Sequence, residues 1–203
     1  MEFASAESVT LFFIFVFCLS YLSGSVPYGL ILTKAFNLGD IRKIGSGNIG
    51  ATNVLRTGNK KIAAATLLLD ALKGFLPVFI FNQFGDSYAA IASIAAILGH
   101  CYPVWLKFKG GKGVATALGV LFGLNPFIAL AAMGTWVLSA FITRISSLSA
   151  LIACASTPFF ALLFAQGITA LTCLVLSILI CLRHEANIKR ILNKTESKIG
   201  EKK

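Results

Sequence analysis

The chain has 203 residues, 57% of them hydrophobic and 13% charged, with a mean hydropathy of +0.83. A soluble domain carries about 25% charged residues, so these values exclude an ordinary soluble globule, which would lack the polar surface to cover so much apolar side chain, and they exclude disorder. The net charge of +10 comes without the aromatic-interleaved basic stripes of a nucleic-acid binder, so it speaks for orientation in a membrane and for phosphate chemistry, with no nucleic-acid partner.

The first apolar run, Val9 to Leu32, is long enough to cross about 30 Å of hydrocarbon. Glu2 and Glu7 flank it upstream with no Lys or Arg, and no small-residue cleavage site follows a short apolar core. It therefore reads as a retained span and not a signal peptide. A polar, glycine-rich stretch runs from Thr33 to Lys61. Ile62 to Phe81 is the second span, broken by Asp70 and Lys73, which share a helix face at i,i+3 and read as a structural ion pair near the site. Asn82 to Ser87 connects it to a third span, Tyr88 to Leu106, and Lys107 to Gly113 is basic and glycine-rich. Val114 to Thr143 is too long for one span and carries the turn dipeptide Asn125-Pro126 near its middle. Ile145 to Phe164 and Ile168 to Leu182 read as two spans joined by a turn at Gln166-Gly167, and a polar tail, 183–203, reads as a short amphipathic helix. Cys18, Cys101, Cys154, Cys173 and Cys181 lie in or beside apolar runs with no paired spacing, the pattern of plain buried thiols.

Basic residues cluster in 33–61, 107–113, Arg144 and 183–203, and are absent from the N-terminal flank, 82–87 and 165–167. Positive charge marks the cytoplasmic side, so the N-terminus is expected outside and the C-terminus in the cytoplasm. Both ends of 114–143 must then face the cytoplasm, which a pair of short helices hinged at Asn125-Pro126 would satisfy. The expected fold is an all-α integral membrane protein, a seven-helix bundle forming a single domain over 1–203. Gly119 and Gly123, a GxxxG pair, read as helix packing.

Three stretches carry chemistry. In GSGNIGATNVLR, Gly45 to Arg56, a formal GxGxxG stands between two spans, without the strand and βαβ unit that dinucleotide binding needs. Its glycines can still bring backbone N–H groups onto an anion, with Ser46, Asn48, Thr52 and Asn53 as donors and Arg56 as a planar fork. In GHCYPVWLKFKGGKGVAT, Gly99 to Thr116, Leu106 and Gly113 break the Walker A pattern. Lys112 between glycines reads as a ligand contact at a helix N-terminus, Lys107 and Lys109 serve membrane anchoring or the same anion, and His100 reads as structural. In RHEANIKRIL, Arg183 to Leu192, Ile188 rules out HExxH, and His184, Asn187 and Arg190 can share one helix face. Ser146, Ser147 and Ser149 after Arg144 can add donors or cap the next helix. Neither a carboxylate pair nor a metal-ligand cluster stands out in this pattern. The reading is a basic, glycine-lined pocket for more than one phosphate at the cytoplasmic mouth of the bundle.

These three stretches, with GSVPYG at Gly24 to Gly29 and DALKG at Asp70 to Gly74, closely resemble those of the bacterial acyl-phosphate:glycerol-3-phosphate acyltransferases, the PlsY family. Ile49 departs, since many relatives place proline there. The resemblance implies a multi-pass inner-membrane enzyme that moves a fatty acyl group from acyl phosphate to the sn-1 hydroxyl of glycerol 3-phosphate, the first acylation of phospholipid synthesis. It implies no cofactor, no metal and no coenzyme A. Carried over by position, Ser46, Arg56, Lys112, His184 and Asn187 form the catalytic set. Arg56, Lys112, His184 and Asn187, helped by Ser147, would grip glycerol phosphate. Ser46 and the backbone from Gly47 through Asn48 and Gly50 to Thr52 would hold the acyl phosphate, while Gly110 and Gly111 leave room beside Lys112. An organic-phosphate transporter is the competing reading, one that would bring inverted repeats and access from both faces.

Overall fold

The computed structural model describes residues 6–165 and 167–200. All regular elements among them are helical. The Gln166-Gly167 turn falls partly outside them, at Gln166, and so do Glu2 in the N-terminal flank and the last three residues of the tail.

The first apolar run folds as two helices, α1 (Ala6–Ser25) and α2 (Tyr28–Ala35). Pro27 has no N–H to continue the ladder, so the helix is interrupted there, while Ala6–Ala35 together remain one run long and apolar enough to cross a membrane, as expected of 9–32. The break frees the Val26 carbonyl, and the buried Lys73 ammonium donates to it at 2.7 Å. A short 3-10 turn, Ile41–Lys43, is capped by Asp40, whose carboxylate accepts from the Arg42 N–H. α3 (Ala51–Val54) and a second 3-10 turn, Leu55–Thr57, end at Gly58 in the left-handed region. α4 (Lys60–Asn82) starts on Asn59, which accepts from the Ile62 N–H. α5 (Asp86–Cys101) follows, then a 3-10 turn at Val104–Leu106.

The stretch 114–143 does fold as two helices, α6 (Val114–Leu124) and α7 (Pro126–Thr143). Asn125 caps α7 by accepting from the Phe127 N–H at 2.9 Å, and Pro126 takes the first helical position, where a missing N–H costs nothing. The helices differ from expectation in length. α6, with 11 residues, rises about 16 Å, but α7, with 18, rises about 27 Å and is long and apolar enough to cross a bilayer. They are one short helix and one full-length helix. α8 (Ser146–Phe164), α9 (Gly167–Arg183) and α10 (Glu185–Leu192) complete the chain, and α10 turns 65° from α9.

Small residues set the closest helix approaches. A β-carbon on Gly119 would lie 1.9 Å from the Ala71 carbonyl oxygen, and one on Gly123 would lie 2.9 Å from Val78. The GxxxG pair is the seam between α6 and α4. Gly24 and Gly99 make the same kind of seam between α1 and α5. Outward faces carry large apolar side chains such as Phe141, Ile142, Leu163 and Leu171, as lipid contact requires. Asp70 and Lys73 form the expected ion pair, 2.6 Å apart and buried, with His100 Nδ1 4.0 Å from the same carboxylate oxygen. His100 also meets the Thr116 hydroxyl at 3.0 Å, so this polar cluster ties α4, α5 and α6 together.

Candidate active site

The turn from Gly45 to Arg56 is organised from inside by Asn53, which is buried. Its amide nitrogen donates to the carbonyls of Ile41, Asn48 and Ile44, and its oxygen faces the Ser46 N–H at 3.4 Å. Asn53 is therefore a structural hub and not the free ligand donor its position in the motif suggested. Gly45 and Gly47 hold φ of +53° and +67°, where a side chain is disfavoured. A β-carbon on Gly45 would also strike the Arg56 side chain, which covers that turn. Gly47 donates to the Ile44 carbonyl, and Ile49 to the Asn48 side-chain oxygen. That second bond needs an N–H at residue 49, which proline could not supply. Ser46 and Thr52 stand exposed, with Asn48 and Gly50 half-buried.

The second loop is a tight hairpin between α5 and α6. Gly110 donates to the Cys101 carbonyl and Gly111 to the His100 carbonyl, both at 3.1 Å. A β-carbon on Gly111 would meet the His100 ring at 2.1 Å, and one on Gly110 the His100 carbonyl at the same distance. These glycines exist because backbone and histidine pack against them, and their amides are already bonded. They shape the loop from which Lys112 projects, just before the N-terminus of α6 at Val114. Lys107 and Lys109 are exposed.

The third stretch turns a corner. α9 ends at Arg183, His184 precedes α10 and is buried, and Asn187 is buried one turn on. His184 Nδ1 lies 2.7 Å from the Ile180 carbonyl, which can only accept, so that nitrogen carries the proton and Nε2 of the neutral ring is the acceptor. The Lys112 ammonium donates to the Asn187 side-chain oxygen. Burial pushes the Lys112 ammonium down to about 8, with Arg190, Arg183 and Arg56 adding to the depression and Glu196 opposing it. Burial also lowers His184 below the usual histidine range, so the free ring is neutral near pH 7.

A residue that sequence reasoning did not select completes the cluster. Glu196, in the tail, accepts from Ser147 at 2.8 Å, Asn187 at 2.6 Å and Arg190 at 2.5 Å. Burial alone would raise its carboxyl, but these three donors hold it below the ordinary range. Ser197 beside it receives the Arg56 guanidinium at 3.4 Å, and Ile199 donates its N–H to the Arg144 carbonyl. Ser147, Asn187 and Arg190 thus converge on one carboxylate, Lys112 joins them through Asn187, and Arg56 reaches the neighbouring Ser197. Ser149 is spent on the Ile145 carbonyl. Ser46, Asn48, Gly50 and Thr52 lie on the turn they share with Arg56.

The glycerol-3-phosphate acyltransferase family model matches residues 14–194. The chain belongs to that family. Among curated relatives, the glycerol-3-phosphate acyltransferase of Sinorhizobium fredii is 57% identical over 182 residues, covering 90% of each chain. That of Brucella canis is 55% identical over 184 residues with the same coverage, and that of Cereibacter sphaeroides 54% identical over 197 residues, covering 97% of this chain and 94% of the relative. Two crystal structures of PlsY (YgiH), an integral membrane glycerol 3-phosphate acyltransferase, superpose on the fold. The glycerol 3-phosphate form gives a TM-score of 0.89 at 38% identity, covering 93% of this chain and 96% of that one. The lysophosphatidic acid form gives 0.85 at 37% identity, covering 93% and 95%. With its apolar helices, this makes the chain a multi-pass membrane protein of the acyltransferase family. The family match ends at Lys194, just before Glu196.

Proposed function

We propose that this protein, acting as one polytopic domain, transfers a fatty acyl group from acyl phosphate to the sn-1 hydroxyl of glycerol 3-phosphate at the cytoplasmic face of the inner membrane. Lysophosphatidate and inorganic phosphate are the products. The observation that carries this reading is the convergence of Ser147, Asn187 and Arg190 on the Glu196 carboxylate beside Lys112. Donors that fold around one carboxylate have the charge and convergence to seat a phosphate of about −1.5 to −2 charges. The glycerol-3-phosphate acyltransferases among its relatives, and the glycerol 3-phosphate form of PlsY, support glycerol 3-phosphate as the acceptor.

In this reading Arg56, Lys112, Asn187 and Ser147 grip the glycerol phosphate. His184, anchored through Nδ1 on Ile180, offers Nε2 to it and takes up a proton as the phosphate binds. Ser46 and the turn through Thr52 hold the acyl phosphate. The glycerol hydroxyl oxygen then attacks the acyl carbonyl, the bond to phosphate oxygen breaks, and the hydroxyl proton passes to a phosphate oxygen. The protein contributes positioning and stabilisation of the departing phosphate, with neither a metal nor coenzyme A taking part.

Purified protein in detergent, given acyl phosphate and labelled glycerol 3-phosphate, should form lysophosphatidate, and acyl-coenzyme A in place of acyl phosphate should not. Product from the thioester alone would overturn the donor assignment. His184→Gln should raise the KM for glycerol 3-phosphate while keeping most of the turnover. A collapse of turnover at unchanged KM would assign His184 to proton transfer instead.

A further inference from the structure

We propose that Arg183 is a positioning residue for this reaction, clamping the Gly110–Gly111 hairpin so that Lys112 meets the phosphate of glycerol 3-phosphate at a fixed point. This rests on the acyltransferase reading and adds to it a residue that touches neither substrate. Arg183 Nε donates to the Gly111 carbonyl and Nη2 to the Gly110 carbonyl, both at 3.2 Å. The guanidinium lies 4.9 Å from the centre of the Tyr102 ring, and the Tyr102 carbonyl is itself held by the Tyr21 hydroxyl at 2.7 Å.

His100 closes the other side of the hairpin. Its ring occupies the space a β-carbon on Gly111 would need, and the Asp70 and Thr116 contacts fix that ring from behind. Both hairpin amides are bonded to carbonyls of 100 and 101, and both hairpin carbonyls accept from Arg183. No hydrogen-bonding group of the two glycines is left to let the loop swing. Lys112 is the next residue in the chain, and its ammonium meets Asn187.

Arg183 also sits immediately before His184, where α9 bends into α10. One side chain therefore couples the loop that carries Lys112 to the corner that carries His184 and Asn187. Reacting groups on separate elements must be held to a fraction of an ångström, and a small misplacement costs on the order of 10²-fold in rate. A planar two-pronged donor can hold two adjacent carbonyls at once, and an ammonium in its place cannot reproduce that grip.

The test separates geometry from charge. Arg183→Lys keeps the charge and loses the fork, and Arg183→Met loses both. Expected for Arg183→Lys is a rise in the KM for glycerol 3-phosphate of roughly 10-fold, with kcat and the KM for acyl phosphate within about threefold. Arg183→Met should go further in the same direction. The reactivity of Lys112 toward a small amine-acylating reagent, followed against pH by mass spectrometry, gives a second readout independent of turnover. Glu196 from the tail, Arg190 from α10, Arg183 from α9, His184 from the corner and Arg56 from the first turn surround that ammonium. Its midpoint of about 8 should move up in Arg183→Lys, as a loosened loop hydrates it, and further in Arg183→Met, which also removes a repelling charge. Tyr102→Leu, which removes the stacking face and keeps the arginine, should show a smaller rise in KM, and it decides the matter if Arg183→Met is not recovered folded. An Arg183→Lys protein with wild-type KM and wild-type Lys112 midpoint would overturn the proposal, as would an unchanged Tyr102→Leu. Absence of lysophosphatidate from the unmodified protein would sink the acyltransferase reading, and the Lys112 midpoint would still judge the clamp.

Discussion

In the turn from Gly45 to Gly50, Gly45 and Gly47 are required by their backbone, at φ of +53° and +67°, and the turn hangs on the Asn53 side chain. In the hairpin at Gly110–Gly111 neither glycine has positive φ, and each is required by what would strike its β-carbon. The first turn leaves Ser46, Thr52 and Arg56 exposed to whatever binds. The second spends its amides and carbonyls within the protein and offers one ammonium. Two loops that look alike as strings of glycine thus do opposite things: one leaves its polar side chains exposed, the other spends its backbone on mounting Lys112.

Substitutions can break or sharpen that contrast. Arg56→Ala should have the largest effect, because it removes the fork that covers the first turn and faces the cluster. We expect a loss of kcat/KM on the order of 10²-fold, about 2.7 kcal/mol, with the melting temperature little changed. Gly111→Ala should act through packing. Overfilling a tight site costs about 1–3 kcal/mol, so the melting temperature should fall and the KM for glycerol 3-phosphate rise together. Gly47→Ala meets nothing closer than the Arg42 carbonyl at 3.3 Å and pays mainly for its backbone angle, about 1–2 kcal/mol. A thermal unfolding series of the three would show whether strain and steric contact separate as described.

The pH response belongs mainly to the second loop. Lys112 in the free protein is depressed to about 8 by burial and the surrounding arginines, and it is charged below that value. Binding a phosphate favours the charged form, so at pH 8 binding should take up protons, and kcat/KM for glycerol 3-phosphate should fall as pH rises through about 8. Calorimetry in buffers of different ionisation enthalpy would measure the uptake. Gly50→Ala should be the mildest change, within about 0.5 kcal/mol in stability, because its φ is −82° and its nearest obstacle is the Asn48 amide at 3.7 Å. A drop in activity from that variant at unchanged stability would show the first turn touching substrate there.

Much of the fold was legible because apolar length and basic clusters obey one-dimensional rules. Asn125-Pro126 announced its turn, and Asp70 with Lys73 announced their pairing. The helix interruption at Pro27 was less visible, because the run stays apolar on both sides and the Lys73 that takes the Val26 carbonyl lies 47 residues away. The length of α7 went unread because orientation by charge suggested two short helices. In the site, Lys112, His184 and Asn187 were legible from spacing and resemblance. Glu196 was not, since nothing in the sequence sets it apart from the tail's other two acids, Glu185 and Glu201, and its meaning depends on where Ser147 and Arg190 end up. The packing role of Gly110 and Gly111 was hidden for the same reason: a glycine's sequence context does not say what presses on it.

The central claim is that separate turns gather on one face of the membrane into a shared cationic site. Single cysteines at Ser46, Lys109 and Ser197, in a chain whose own five cysteines are replaced, can be probed in sealed vesicles of known orientation with a membrane-impermeant maleimide. The account predicts that all three are labelled from the cytoplasmic face. Labelling of any one of them from the opposite face alone would contradict it.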